Sequence, residues 1–465
     1  MYELSSDRAR KGESGVALVL TTLTLLIFGP LIGLAIDGGT VYLLKARLSQ
    51  AVDAACLAGA RSLSRGLNIA QQTQSATETS QKYFQANFPN NTWGSTVSNL
   101  QIDVAEDAAS KARIVTVSAT ATAPLYFLRL LGKTNATIAA LGQARRRDVN
   151  VMLVLDRSSS MGGAGAIQPM IDAATSFVNQ FAPGRDKLGM VVFGGSYYLV
   201  PPTLNFQPTL VTQIKQIVSS GNTGTAQALW VGYKALADLN EPGALNVLLF
   251  FTDGLPNGVT ADFAPQRKSP LICDPLGAPL IGWISQTSGF VVDPGVTHGL
   301  FRTVATGPSD PTDGANSSVI PNGIGCQFFT NPDNMKNDFN AIPAQDYYGN
   351  LTNPPNPYKP VDLNGINRAT QVAAASYNAA DYAARRMRAG AINNIVPLVY
   401  TISIITNPNP SEWPDPIFMK RVTNTVDSPI YDSTKPTGLY IDAQNKGNLG
   451  NAFLRIASEI LRLSQ

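Results

Sequence analysis

Three short stretches of this 465-residue chain carry oxygen donors at spacings that could hold a hard cation. Leu155-Asp156-Arg157-Ser158-Ser159-Ser160 sets one carboxylate and two hydroxyls on a D-x-S-x-S pattern. Ser220-Gly221-Asn222-Thr223-Gly224-Thr225 offers threonine hydroxyls immediately before a helical pattern, and Thr252-Asp253-Gly254 adds a second carboxylate. Mg²⁺ takes oxygen ligands in an octahedron at about 2.0–2.1 Å and keeps several waters. One carboxylate and two neutral hydroxyls would leave such an ion electropositive, able to accept an Asp or Glu from another protein. Three direct carboxylates would quench that attraction. D-x-S-x-S alone is a weak signal in a serine-rich chain; the placement of all three stretches is what raises it.

That placement follows from the surrounding pattern. Val149–Leu155, Lys187–Phe193 and Asn246–Phe251 are nearly continuous apolar runs, as expected of strands buried on both faces of a parallel sheet. Helices are expected over Ile167–Phe181, Leu210–Val218, Thr225–Leu239, Arg368–Ala389 and Leu449–Leu463, with a further strand over Ile395–Ile405. The alternation predicts an α/β fold: a doubly wound, mostly parallel sheet over residues 148–465, which binds ligands outside the carboxyl ends of its strands. Asp156 and Asp253 then lie at one sheet edge. Pro256–Asn367 breaks the alternation, with Pro, Gly, Asn and Asp throughout and no strong period. A connection that long predicts a functional insertion or lid. It holds Cys273 and Cys326, whose pairing in an oxidising compartment would close a loop of about 50 residues and add a few kcal/mol. Cys56, in an Ala-rich helical stretch, reads as a small buried residue.

The N-terminal part reads differently. Gly15–Ile36 is a run of 22 uncharged residues, long enough as a helix to span about 33 Å. Pro30 is tolerable in such a span. Arg8, Arg10 and Lys11 precede the run, and Asp37 follows it, with Lys45 the next cation. The positive-inside rule then puts residues 1–14 in the cytoplasm and everything beyond residue 37 outside. The run exceeds the apolar core of a signal peptide, and Ala35-Ile36-Asp37 is a poor cleavage site, so an uncleaved anchor is expected. Over residues 37–65 a helix is expected, with Val41, Leu44, Leu48, Val52 and Ala55 on one stripe. Residues 66–147 read as a small α+β region at the membrane surface. It has a helix near Thr77–Phe88, strands over Ala112–Ala121 and Ala136–Gln143, and a short helix within 124–132 ended by Gly132.

Several function classes are disfavoured. The charged fraction is 14% and the net charge +3, with no long basic run, so no nucleic-acid partner is expected. A single histidine, His298, and three cysteines cannot make a zinc cluster, and no nucleophile motif stands beside His298. A phosphate-binding G-x-x-x-x-G-K-[S/T] loop is absent. An aspartate-based phosphatase would want a second acid where Ser158 stands. No catalytic residue is assigned and no enzyme is expected.

The three donor stretches resemble the metal-ion-dependent adhesion site of the von Willebrand factor A domain, over about 148–256 and 368–463. The resemblance assigns Asp156, Ser158 and Ser160 to the first motif. It assigns Thr223, rather than Thr225, to the threonine, because Ala228-Leu229 follows at the family's distance. Asp253 takes the place of the aspartate that usually reaches the ion through water. The sequence departs from the family in Asn222 and in the insertion directly after Asp253, which starts at the metal face. Separately, the apolar run, Asp37-Gly38-Gly39, Tyr42 and Leu48-x-Gln50-Ala51-x-Asp53-Ala54-Ala55-x-x-Ala58-Gly59-Ala60 resemble TadG-like proteins of the bacterial Tad (Flp) pilus-assembly system. Leu20 stands where cleaved prepilins of that system carry glutamate, so no processing by a prepilin peptidase is expected.

The resemblances imply a single-pass inner-membrane protein with its bulk periplasmic or extracellular. It would bind Mg²⁺, with Mn²⁺ or Ca²⁺ as alternatives, and through it a protein ligand presenting an Asp or Glu, with other Tad components as further partners. A structural pilus component whose metal only braces the fold is the second reading, and a metal-dependent hydrolase a remote third.

Overall fold

The computed structural model describes residues 13–63, 69–108, 111–263, 280–285, 304–310, 342–362 and 368–464. Cys273, Cys326 and His298 lie outside the described residues, as do residues 1–12. The chain divides into two compact units, one made of residues up to 107 with 113–146, the other of 108–112 with 147–464.

In the first unit α1 (Glu13–Ser62) runs unbroken for 50 residues, through Pro30 and through Asp37-Gly38-Gly39. The apolar run and the stripe that follows it are therefore one helix, not two. Helix propagation is cooperative, and the second half is pinned by packing: Leu44, Leu48, Val52 and Ala55 are all fully buried. Among the described residues, α1 is long and apolar enough to cross a membrane.

Helix α2 (Ile69–Asn87) starts eight residues before the expected Thr77. Its inward stripe is Gln72, Ala76, Ser80 and Phe84, mostly polar or small, so apolar periodicity does not reveal its first turns. Ser80 Oγ donates to the Ala55 carbonyl at 3.0 Å. The two helices meet so closely that a Cβ on Gly59 would fall 2.1 Å from that hydroxyl.

Strands β1 (Thr96–Asp107), β2 (Ala112–Pro124) and β3 (Asn135–Arg147) form a three-stranded sheet in that order. In β2 buried and half-buried residues alternate from Arg113 onward. No residue of β1 is fully buried, which explains why its sequence carries no clear strand signal.

The second unit is built on a six-stranded sheet. Its strands are β4 (Val149–Asp156), β5 (Lys187–Phe193), β6 (Tyr197–Thr203), β7 (Leu245–Thr252), β10 (Leu398–Ser403) and β11 (Tyr440–Asp442), in the spatial order β11-β10-β7-β4-β5-β6. All neighbours pair in parallel except β6, which runs antiparallel to β5. The doubly wound α/β fold expected from the alternation is present. All eight residues of β4 are buried, and their period of two serves both faces. The short helix α3 (Ser159–Gly163) follows β4. Val149, Val151, Leu153 and Leu155 pack with helices α4 (Ile167–Val178) and α5 (Phe206–Lys215) and with the C-terminal helix (Leu449–Leu463). Met152 and Val154 pack with α6 (Thr225–Asp238), α7 (Arg368–Arg388) and α8 (Pro416–Thr423). Edge strand β6 carries Pro201 and Pro202, and β11 is three residues long; neither has the apolar run that marks the central strands.

The segment expected to lack regular structure contains some. Strands β8 (Gly258–Phe263) and β9 (Leu280–Ser285) pair antiparallel. Thr260 Oγ1 donates to Gln227 Oε1 of α6 at 2.7 Å, and the Tyr347 N–H donates to the Thr260 carbonyl at 2.7 Å. Trp283 of β9 is buried against Gly195, where a Cβ would stand 2.1 Å from the indole ring. Gly195→Ala must therefore displace Trp283, at a cost of about 1–3 kcal/mol as in other overpacked sites. The expected result is faster limited proteolysis within residues 256–367 in the variant. An unchanged cleavage rate would show that the indole is not a clamp.

Candidate metal centre

The parallel register brings the carboxyl ends of four strands to one edge: Leu155 pairs with Phe251, Thr252 with Ser403, and Ser403 with Asp442. Strand β4 is where the winding direction changes, with β5 on one side and β7 on the other. Asp156 is its last residue, and Asp253 follows β7 directly.

The loop after β4 folds tightly. Asp156 Oδ1 accepts the Ser158 N–H at 2.7 Å, and Oδ2 accepts the Thr252 hydroxyl at 2.5 Å. The carboxylate is thus fixed by one group from each loop. Ser158 Oγ and Ser160 Oγ are 3.1 Å apart, and Asp253 Oδ1 stands 3.2 Å from the first and 2.9 Å from the second. These three oxygens form a nearly equilateral triangle. Adjacent ligands of an octahedron with metal–oxygen bonds of about 2.1 Å stand about 3.0 Å apart, so the triangle has the size of one octahedral face. Thr223 lies against the same place. A Cβ on Gly254 would stand 3.5 Å from Thr223 Oγ1 and 3.9 Å from Ser160 Oγ. The Thr223 backbone N–H donates to Asn257 Oδ1 at 2.8 Å, a tether from the start of the insertion. Thr225 opens α6 fully buried, and its hydroxyl has no hydrogen-bond partner among the described residues.

The structure therefore brings Asp156, Ser158, Ser160, Thr223 and Asp253 together. Asp156, Ser158, Thr223 and Asp253 are buried, and Ser160 is exposed, giving the cluster a mouth on its side. Two carboxylates are buried here, and among the described residues neither forms an ion pair. Burial, and then the charge of Asp253 beside it, push Asp156 up to about 7. Asp253 is also raised, by burial, against the hydrogen bonds from Thr406, Ser160 and Ser158. Such a pair calls for a positive charge. No group of three or more His, Cys, Asp or Glu side chains converges among the described residues, so this is a site of hydroxyls and two carboxylates. That donor set suits a hard divalent ion.

Supporting residues escaped the sequence reading. Thr406, after β10, donates to Asp253 Oδ2 at 2.6 Å. Ser219 Oγ donates to the Ser158 carbonyl at 2.8 Å and accepts the Gly162 N–H at 3.1 Å. Arg157, buried between the two ligand positions, donates through Nη1 to the carbonyls of Val218 at 3.2 Å and Asp310 at 2.6 Å. The insertion is thereby tied to the loop that carries Asp156, Ser158 and Ser160. Only Thr406 had a signal, its place at the carboxyl end of a strand.

Beside the cluster is a cavity of about 540 Å³ lined by residues that include Leu255, Tyr377, Ile405, Trp413, Tyr440 and Asp442. Leu255 is two residues from Asp253, and Ile405 adjoins Thr406, so the cavity and the cluster share two loops.

Residues 151–255 match the family model of the von Willebrand factor type A domain, and residues 15–62 that of the Flp pilus-assembly TadE/G-like family. Two curated relatives cover part of the same ground. The calcium-activated chloride channel regulator 3A-1 of Mus musculus is 27% identical over 137 residues, 29% of this chain and 15% of that one. A UPF0353 protein of Mycolicibacterium paratuberculosis is 34% identical over 92 residues, 19% of this chain and 27% of the relative. This chain thus spans less than a third of either relative's length. Among solved structures, the PilB minor pilin of Streptococcus sanguinis superposes at TM-score 0.37 and 14% identity, over 80% of this chain and 79% of that one. The vWF domain of the type V pili tip protein Mfa5 of Porphyromonas gingivalis gives TM-score 0.38 at 15% identity, over 69% and 97%.

Proposed function

We propose that this chain, which joins a TadE/G-like segment to a von Willebrand factor type A domain, is a membrane-anchored, metal-dependent protein-binding protein of pilus assembly. In this reading α1 crosses the inner membrane once, with the N-terminus cytoplasmic and the bulk periplasmic or extracellular. Ser158, Ser160 and Asp253 hold Mg²⁺, or Mn²⁺ or Ca²⁺ in its place, with Thr223 and Asp156 completing the donor set. The ion supplies the positive charge that a ligand's Asp or Glu carboxylate seeks. The protein's own contribution is to fix the donors in advance through Thr252, Thr406 and Ser219, which lowers the ordering cost of binding. The observation that carries the reading is the triangle of oxygens spaced at 2.9–3.2 Å beside an exposed mouth. The adjacent cavity would take a side chain flanking the ligand's acid, with Trp413 and Tyr440 as its walls. The reading is non-enzymatic: it assigns no catalytic base or nucleophile.

The test is crosslinking capture of partners from intact envelopes, with Mg²⁺, with EDTA, and with Asp156→Ala. Capture should be lost in the last two, while circular dichroism remains native. If both leave capture unchanged, the metal only braces the fold.

A further inference from the structure

We propose that the turn Leu125–Gly132 is a second membrane-inserted element, a leucine-tipped wedge lying in the interfacial layer of the bilayer against α1. The proposal rests on the reading of α1 as a membrane span.

The turn sits on the apolar part of the helix, not beyond it. Phe127 packs on the backbone at Gly33, where a Cβ would fall 2.7 Å from its own Cβ. A cavity of about 330 Å³ between turn and helix is lined by Gly29, Pro30, Leu34, Phe127, Leu130 and Leu131, with Leu128. Gly33 and Pro30 lie four and seven residues before Asp37. At about 1.5 Å per residue, the turn reaches roughly 6–10 Å into the apolar run. Interfacial elements bury their apolar faces to about that depth.

The exposed side chains fit hydrocarbon rather than water. Leu130 is 84% exposed and Leu131 72%, beside helix residues such as Leu26 at 69%. Two adjacent leucines that expose this much surface next to an apolar span form one continuous apolar face.

The backbone makes the stronger argument. A turn in hydrocarbon must satisfy its polar groups internally, a demand water does not impose. Here Asp37 Oδ1 accepts the Tyr126 N–H at 2.8 Å, and Oδ2 accepts those of Phe127 and Leu128 at 3.0 and 2.7 Å. The Leu125 N–H donates to Thr134, Leu130 to Phe127, Gly132 to Arg129 and Lys133 to Leu128, at 2.9–3.1 Å. Gly132 closes the turn in the left-handed region at φ 82°.

The rim is of the kind found at headgroup level. Tyr126 and Trp93 are half exposed, the Tyr126 hydroxyl donates to the Trp93 carbonyl at 3.3 Å, and the Arg47 guanidinium lies 5.0 Å from the Trp93 ring centre. Arg129 and Lys133 are exposed and long enough to reach lipid phosphates.

The experiment uses the full chain in phosphatidylcholine–phosphatidylglycerol vesicles, with Cys56, Cys273 and Cys326 replaced by Ala or Ser. A polarity-sensitive fluorophore is attached at Leu130→Cys, at Leu26→Cys in the span, and at Asn99→Cys on exposed β1. Nitroxide lipids and aqueous iodide serve as quenchers. Leu130 is expected to be quenched by shallow nitroxide lipids at least about twofold more than Asn99, and to be shielded from iodide. If Leu26 is quenched by deep nitroxides while Leu130 behaves as Asn99, the wedge is overturned and the anchor stands. If Leu26 itself is open to iodide, the anchor reading fails and the wedge with it.

Discussion

Mg²⁺ is expected to raise the melting temperature of the wild-type protein, and Asp156→Asn to abolish that rise while leaving the EDTA-treated protein as stable as wild type or more so. Both halves follow from the geometry. With the proposed site, wild type would gain about 2.7 kcal/mol when the ion is present at a hundred times its dissociation constant, roughly 5–10 °C for a domain of this size. Asparagine keeps the oxygen that accepts the Ser158 N–H, and its amide can donate to the Thr252 hydroxyl, which now accepts. It removes one of two buried carboxylates that repel each other. The chelated protein therefore loses a repulsion and keeps its hydrogen bonds, whereas the loaded protein loses a charge that opposes the cation. Thermal scans of both proteins with Mg²⁺ and with EDTA decide the matter. A variant that retains the full Mg²⁺ shift would remove Asp156 from the site.

The second large effect lies away from the candidate metal centre. Asp381 of α7 is fully buried and accepts from Arg421 Nε at 2.9 Å, Arg421 Nη2 at 2.7 Å and Arg385 Nη2 at 2.6 Å. Arg388, two turns on from Asp381, donates to the carbonyls of Arg421 and Val422 at 3.0 and 2.8 Å. This network locks α7 to α8, beside β10 and the loop that carries Thr406. Removing one partner of a buried pair leaves the other charge unpaired, at a cost of about 3–5 kcal/mol. Asp381→Ala should lower the urea midpoint at an unchanged slope, with the shift multiplied by the slope equal to about 3–5 kcal/mol. Asp381→Leu combined with Arg421→Met should recover most of the loss, since apolar replacement of a whole pair is often neutral. A double variant no better than the single one would mean that the network does more than pair charges.

The sheet was legible because β4, β5 and β7 are buried on both faces and so read as unbroken apolar runs. From their order alone, Asp156 and Asp253 could be set at one edge. Elements that expose a face left weaker traces. Strand β1 is never fully buried, β6 carries two prolines, and α2 turns inward Gln72 and Ser80, which no hydrophobic period reports. The five candidate ligands were visible as a pattern, but the groups that orient them were not. Thr406 lies in the loop after β10, 153 residues beyond Asp253, and Ser219 bonds a carbonyl, so neither belongs to a local motif. The Asp37 strap was hidden for the same reason: its three donors lie about 90 residues away.

The unbroken course of α1 has a mechanical meaning. At about 1.5 Å per residue its 50 residues make a rod of about 75 Å, of which the uncharged run accounts for less than half. Sharp kinks arise at proline, at glycine–serine pairs or where a side chain enters the backbone ladder, and beyond Pro30 the helix passes even Gly38-Gly39 without a break. Along the stretch beyond Pro30, a pull or a twist applied at one end then arrives at the other end with little lost to bending. The packed half beside α2 would feel a tug as a change in shear rather than in slack. Anchored as proposed, the protein would report load along the axis of α1, and lengthening or interrupting the rod would change what it transmits before it changed the proposed binding.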